Sequence, residues 1–186
     1  MDDETLRAEL ERHHRESYGW ALSRCAFDPV EAEEVLQIVY LKVLDGRARF
    51  DGRASFKTWL LALIRNTAAD EWRRKNRQQL RLVELDESAD SLAPEDAPDE
   101  AAHQAQMSLL LGEALAALPA RQQEVLRLVF YHDLSVAEAA AVMDVSLGTA
   151  RTHYDRAKKS LRHWMEQRKV FDEPESGRKE NQGTVR

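Results

Sequence analysis

The sequence predicts an all-α fold made of two small helical domains joined by a flexible acidic linker. Three observations carry that prediction. Ala, Leu, Glu, Arg and Gln, all strong helix formers, dominate the chain, and the alternating Val/Ile/Thr runs that mark strands are absent. Apolar residues recur at spacings of three and four between good cap residues. Charge is segregated: residues 1–51 carry net −5, 52–77 carry +5, 78–106 carry −7, 107–169 carry +2 and 170–186 carry −1. The strip 78–106 holds eight carboxylates, Pro94 and Pro98 but few large apolar residues, so it buries too little surface to offset its ordering entropy.

The expected organisation is therefore a helical domain over 1–77, an acidic linker over 78–106, a helical domain over 107–169 and a disordered tail over 170–186. Short connections are expected at Phe27-Asp28-Pro29, Asp45–Gly52, Leu118-Pro119 and His132-Asp133.

Within the first domain, a helix over about 29–45 has Leu36, Val39, Tyr40 and Val43 as its core stripe. Ile38 and Leu41 lie on another side, beside Glu33, Glu34 and Gln37. Apolar residues rimmed by acids suit docking to a basic partner, and equally a helix buried on two sides. The next helix has Phe56, Trp59, Leu60, Leu63, Ile64 and Thr67 on its core side, and Arg65, Asn66, Asp70, Arg73, Arg74 and Arg77 on the other. The loop before it, with Phe50 and Ser55, adds an aromatic to this basic face. Such a surface can hold single-stranded nucleic acid, with charge following phosphates and pockets receiving bases.

In the second domain, Pro119 suits a first helical position, and Val125, Leu128 and Val129 follow at helical spacing. Ser135 and Glu138 form a capping box before a short helix whose apolar side is Ala139, Ala140, Val142 and Met143. Asp144 stands at a sharp turn, where its tolerance of left-handed geometry helps. Ser146 caps a second helix, with Ala150, Tyr154, Ala157 and Leu161 as a buried stripe. Thr149, Arg151, Thr152, Asp155, Arg156 and Lys159 fall on its outer side. This describes a helix-turn-helix whose second helix enters a major groove. Arg reads guanine there, and Thr reads a base or a thymine methyl.

Other classes are excluded by what is missing. The chain of 186 residues has 43% hydrophobic and 32% charged residues, enough to form a core under a charge-rich surface. Its single cysteine, Cys25, precludes an internal disulfide or a multi-cysteine zinc site, and reads as a small core residue. The acidic start Met1-Asp2-Asp3-Glu4 is unlike a secretory signal, and no apolar run approaches the ~18 residues of a membrane span, so a cytoplasmic protein is expected. Phosphate loops, metal-binding His pairs and nucleophile elbows are lacking. Adjacent His13 and His14 point about 100° apart on a helix. Neither enzyme activity nor any cofactor or metal is expected.

Taken in order, these residues resemble the extracytoplasmic-function (ECF) group of bacterial sigma factors, over roughly residues 10–166. Glu31-Ala32-Glu33-Glu34-Val35-Leu36-Gln37-Ile38-Val39-Tyr40 resembles the family's acidic docking helix, with Glu31 and Glu34 where Asp is more usual. Phe56-Lys57-Thr58-Trp59-Leu60, Arg65-Asn66-Thr67-Ala68, Asp70 and Trp72-Arg73-Arg74 resemble the segment that melts and reads the minus-ten element. Leu118-Pro119, Leu134–Ala140 and Gly148–Thr152 resemble the minus-thirty-five reader, with Ala139 and Ala150 smaller than usual.

The resemblance implies that Glu33, Glu34, Gln37, Ile38 and Leu41 dock on the β′ clamp helices of core RNA polymerase. The resemblance also implies the β flap of the polymerase as a second contact. Promoter DNA would meet Phe50, Ser55, Phe56, Arg65, Asn66, Asp70, Arg73 and Arg74 at minus ten, and Thr149, Arg151, Thr152, Asp155, Arg156 and Lys159 at minus thirty-five. The linker would thread the polymerase's RNA channel, and an anti-sigma factor would be a further partner. The competing expectation is a stand-alone helix-turn-helix regulator, which leaves the basic first domain and its acidic docking face without a role.

Overall fold

The computed structural model describes residues 2–82, 110 and 112–168, with side chains in the first stretch to Arg77. The linker from residue 83 and the tail 170–186 lie outside the described residues. All regular structure among those described is helical.

Four helices form the first unit. Helix α1 (Asp3–Arg12) starts on Asp2, whose carboxylate accepts from Thr5 N at 2.8 Å. His13 separates it from α2 (His14–Arg24). Helix α3 (Pro29–Leu44) begins at an Asp28 cap with proline in the first turn, over close to the span of 29–45 expected from the sequence. Gly46, with φ +70, follows its end, a left-handed position that favours glycine. Helix α4 (Phe56–Leu82) continues past residue 77. At 1.5 Å per residue its 27 residues span about 40 Å.

The first core sits among α2, α3 and α4. Trp20 is fully enclosed and donates its indole N–H to the Leu61 carbonyl at 3.0 Å, tying α2 to α4. Leu36, Val39 and Val43 are buried from α3, and Phe56, Leu60, Ile64 and Thr67 from α4, as expected. Trp59, Leu63 and Tyr40 are half-buried, and Leu61 is buried without having been expected. Between α2 and α3, Ala26 (φ 51) and Phe27 (φ 65) are both left-handed, a strained turn for residues with a Cβ. Cys25 is buried just before it, and burial, reinforced by Glu31, raises its thiol to about 11. That suits a core residue, as expected, and disfavours the reactive thiolate.

The second unit follows a helical stretch over 112–116. Helix α5 (Ala120–Phe130) begins one residue after Pro119, which caps it instead of occupying the first turn. Helix α6 (Val136–Met143) carries the full capping box: Glu138 N donates to Ser135 Oγ at 3.2 Å, and Ser135 N donates to Glu138 Oε2 at 2.9 Å. Asp144 is left-handed at φ 54, ψ 52. Helix α7 (Leu147–Gln167) starts on Ser146, which accepts from Thr149 N at 3.1 Å. Ala150 and Ala157 are buried, with Tyr154 and Leu161 half-buried.

The two units are not separate bodies. Helix α6 packs against α4, and one apolar cluster runs from Trp20, Leu60 and Ile64 to Val125, Leu128, Val142 and Met143. The His132 ring meets Trp20 edge-on at 5.3 Å, and the Arg127 guanidinium lies 5.0 Å from the Phe27 ring centre. This inter-unit packing was not anticipated from the sequence.

His132 gives that packing a pH dependence. Burial, assisted by Lys57 and opposed by Glu16 and Asp133, lowers its pKa to about 4. An unfolded histidine titrates near 6.5, so the unfolded chain binds more protons between these values. The stability held by the neutral ring is complete above about pH 6.5 and is lost as pH falls towards 4, on the order of 3 kcal/mol. Denaturant unfolding at pH 7.5 and 4.5 should show this loss in the wild type. His132→Phe should show a smaller difference between the two pH values.

Candidate functional site

Three surfaces carry the residues singled out by the sequence. On α3, Glu33, Gln37 and Leu41 follow one another at four-residue spacing, along one face, and all three are exposed. Together with Leu36, Tyr40, Leu44 and, from α2, His14 and Tyr18, they line a shallow groove of about 540 Å³. His14 Nδ1 and the Tyr40 hydroxyl, 3.0 Å apart, join its two walls. Ile38 is half-buried. Glu34 is exposed but turns towards α4, where Lys75 Nζ stands 3.1 Å from both Glu31 and Glu34. The sequence reading missed Leu44, which is 45% exposed; its position three residues after Leu41 was the available signal. An apolar floor with a carboxylate rim can take a protein partner that brings apolar side chains and cations.

The second surface is the start and outer side of α4. Phe56 is buried, stacked near His13 and packed against Phe50 and Trp59 at ring distances of 5.5 and 5.3 Å. Phe50 is half-buried, while Ser55 is exposed at the helix start, where its Oγ accepts from Thr58 N at 3.1 Å. The aromatic cluster thus underlies the loop, with the exposed polar segment 51–55 above it. Further along α4, Asn66, Asp70, Arg73 and Arg74 are exposed. Arg73 donates to Asp70, and Arg74 donates to Glu71 at 2.7 Å, each a pair within the helix. Exposed pairs of this kind are weak, so a phosphate can displace the carboxylate. Trp72, 65% exposed between them, offers a stacking face.

Arg65 differs from the others. Its side chain is only 14% exposed, and its Nε donates to Glu124 Oε1 of α5 at 2.6 Å. Of the residues assigned to this surface, it is turned towards the second unit, not left open.

The third surface is the front of α7. Thr149, Arg151, Thr152, Asp155, Arg156 and Lys159 are all exposed, while Ala150 and Ala157 anchor the opposite side. Thr152 Oγ1 donates to the Gly148 carbonyl at 2.9 Å, which directs its remaining lone pairs and methyl outward. Asp155 pairs with Lys158 at 3.2 Å. The capping box and the Asp144 turn fix where α7 starts, and so the angle at which its first two turns project. This is the geometry of a helix presented to a major groove.

Comparison with known proteins finds two family segments in the chain. The Sigma-70 region 2 family model matches residues 10–78, and the Sigma-70, region 4 model matches 108–161. The ECF RNA polymerase sigma factor SigF of Caulobacter vibrioides (strain NA1000 / CB15N) is 34% identical over 143 residues, covering 77% of this chain and 75% of that protein. The ECF RNA polymerase sigma factor RpoE of Cereibacter sphaeroides is 32% identical over 167 residues, 88% of each chain. Among solved structures, the sigma factor RpoE in complex with the anti-sigma factor NepR from Bartonella quintana is similar in fold. Its TM-score is 0.62 at 23% identity, over 86% of this chain and 96% of that one.

The placement of α7 depends on the caps around α6. Ser135→Ala removes one half of the capping box and should cost about 1 kcal/mol of stability, read as a lower thermal midpoint. Ser135→Thr, which keeps the hydroxyl, should recover most of it.

Proposed function

The chain belongs to the ECF RNA polymerase sigma factors, which direct transcription initiation, and we propose how its own surfaces divide that work. The groove of Glu33, Gln37 and Leu41 docks on the β′ clamp helices of core polymerase, and Glu34, paired with Lys75, and half-buried Ile38 extend that contact along α3 outside the groove. The apolar floor supplies affinity, and the acidic rim supplies orientation and rate. The outer side of α4 holds the non-template strand of the minus-ten element. A flipped base enters over the loop of Phe50 and Ser55, with the buried Phe56 ring as a firm backing. Arg65, Asn66, Arg73 and Arg74 follow the backbone, and Asp70 orients Arg73. The helix-turn-helix reads the minus-thirty-five element as duplex: Arg151 and Arg156 offer bidentate contacts to guanine, Thr149 and Thr152 offer methyl or hydroxyl contacts, and Lys159 meets phosphate.

In this reading residues 1–77 and 107–169 act as the two promoter-reading domains and 78–106 as the acidic linker through the RNA channel. The protein acts by binding rather than bond-making chemistry, in the cytoplasm. No helix among the described residues is long and apolar enough to cross a membrane. An anti-sigma factor, like the one bound to the Bartonella relative, belongs to the same proposal.

The observation that carries the reading is the ordered pair of matches, region 2 over 10–78 and region 4 over 108–161. A stand-alone helix-turn-helix regulator accounts for the second match and leaves the first unexplained.

The test is co-elution with bacterial core RNA polymerase on a sizing column. Wild type should co-elute, and a Glu33→Arg/Glu34→Arg double variant should not. Retained binding by that variant would remove α3 from the docking role. In a promoter selection from random DNA, Arg151→Ala and Arg156→Ala should each relax the choice at one upstream position, at about 1–3 kcal/mol per lost bidentate contact.

A further inference from the structure

Glu124 is the most enclosed carboxylate among the described residues, with its side chain 2% exposed. It belongs to α5 of the second unit, yet two of the three cations around it come from the first. Arg65 Nε of α4 lies 2.6 Å from one carboxylate oxygen, and Arg24 Nη1, at the end of α2, lies 3.9 Å from the same oxygen. Arg121, one turn before Glu124, reaches the other oxygen at 3.0 Å. One anion thus holds three guanidinium groups together across the seam between the units. Without it the site would hold only like charges, and a buried ion left without its partner is strongly destabilising.

The carboxylate occupies the Nε edge of Arg65. A guanidinium binds carboxylate and phosphate through the same donors, so Glu124 and a DNA backbone compete for that edge. The outer side of α7 is exposed in the same arrangement. The two DNA-reading surfaces are therefore treated differently by one contact.

We propose that this contact is a self-docking surface by which the free chain closes on itself. The second unit, latched by Glu124, withholds Arg65 from single-stranded DNA while leaving the helix-turn-helix open to duplex. The closure follows from the geometry alone. The withholding rests on the assignment of Arg65 to the minus-ten strand made above. Opening requires a partner that separates the units or an anion that replaces Glu124 on Arg65.

The experiment uses the full chain without polymerase. Spin labels at Arg47→Cys and Ser160→Cys, both exposed sites, are placed in a Cys25→Ser background. They report the separation of the units by electron paramagnetic resonance. The unlabelled chain is titrated with a fluorescent mixed-sequence single strand of twelve nucleotides and, separately, with a mixed-sequence duplex. The unsubstituted latch should give one narrow distance distribution. Glu124→Gln, nearly the same shape without the charge, should broaden and lengthen it. If the open form is about a tenth of the free population, single-strand affinity should rise by up to about tenfold, with duplex affinity unchanged. Arg65→Gln, made on the opposite unit, should open the distance likewise. It separates loss of the latch from any loss of folding in the second unit of Glu124→Gln.

A distribution already broad with Glu124 and Arg65 intact overturns the closure, as does one that neither variant changes. Opening by both variants with no gain in single-strand affinity keeps the closure and overturns the assignment of Arg65 to DNA. A parallel gain for duplex overturns the selective withholding.

Discussion

The fold depends on how many neighbours a single helix can cover at once. Helix α4 is packed by α2 and α3 on one side and by α6 of the second unit on another. Its buried residues include the consecutive pair Leu60 and Leu61, with Ile64, Thr67 and Ala68 one and two turns on. Consecutive residues on a helix point about 100° apart, so burial of both requires covering elements on two sides. Leu61 also supplies the carbonyl that receives the Trp20 indole N–H, and Trp20 in turn faces His132. First core and second unit are thus joined through one short stretch of α4. What remains of that helix's circumference is the strip carrying Asn66, Asp70, Arg73 and Arg74.

Electrostatics follow the same economy. The chain is acidic as a whole, at net −6, yet the two surfaces proposed to meet DNA are locally basic. Among the described residues, several carboxylates pair with those bases or rim another surface. Asp70 and Glu71 hold Arg73 and Arg74 within α4, Asp155 holds Lys158 on α7, and Glu33 rims the α3 groove. Such pairs near the surface contribute little to stability, which suits the proposed exchange of a carboxylate for a phosphate. Glu124 is the exception, because burial makes its partners costly to lose.

Most of the helical framework was legible in the sequence because it is written in local signals. The Asp28 cap, the Ser135–Glu138 box, the left-handed Asp144 and the Ser146 cap act within four residues of themselves. The exposed side of α7 was equally legible, since Ala150 and Ala157 declare the buried side by their size. What was not legible is long-range. Leu61 and Arg65 fall off the core stripe of α4, and Arg65 is covered where Glu124 of α5 reaches it. Glu124, in a run of Arg and Gln at the start of α5, carries the same local pattern as a solvated helix residue. The paired left-handed Ala26 and Phe27 have no sequence mark, because neither residue favours that geometry; the turn is held by the elements it joins.

The contact between units also has the composition of one that can come apart. Trp20, His132, Val142 and Met143 supply an apolar centre, but its edge carries three arginines against one carboxylate. Arg127 lies on the exposed Phe27 ring, burial lowering its pKa. A permanent domain interface gains most from apolar burial with its charges fully paired. Here the cations outnumber the anion that holds them, so closure is opposed by repulsion among the same groups it brings together. On the proposed latch, that imbalance is what a strong anionic competitor would exploit to separate the units. The charged edge of the seam, rather than its apolar centre, is thus where the proposed latch would open.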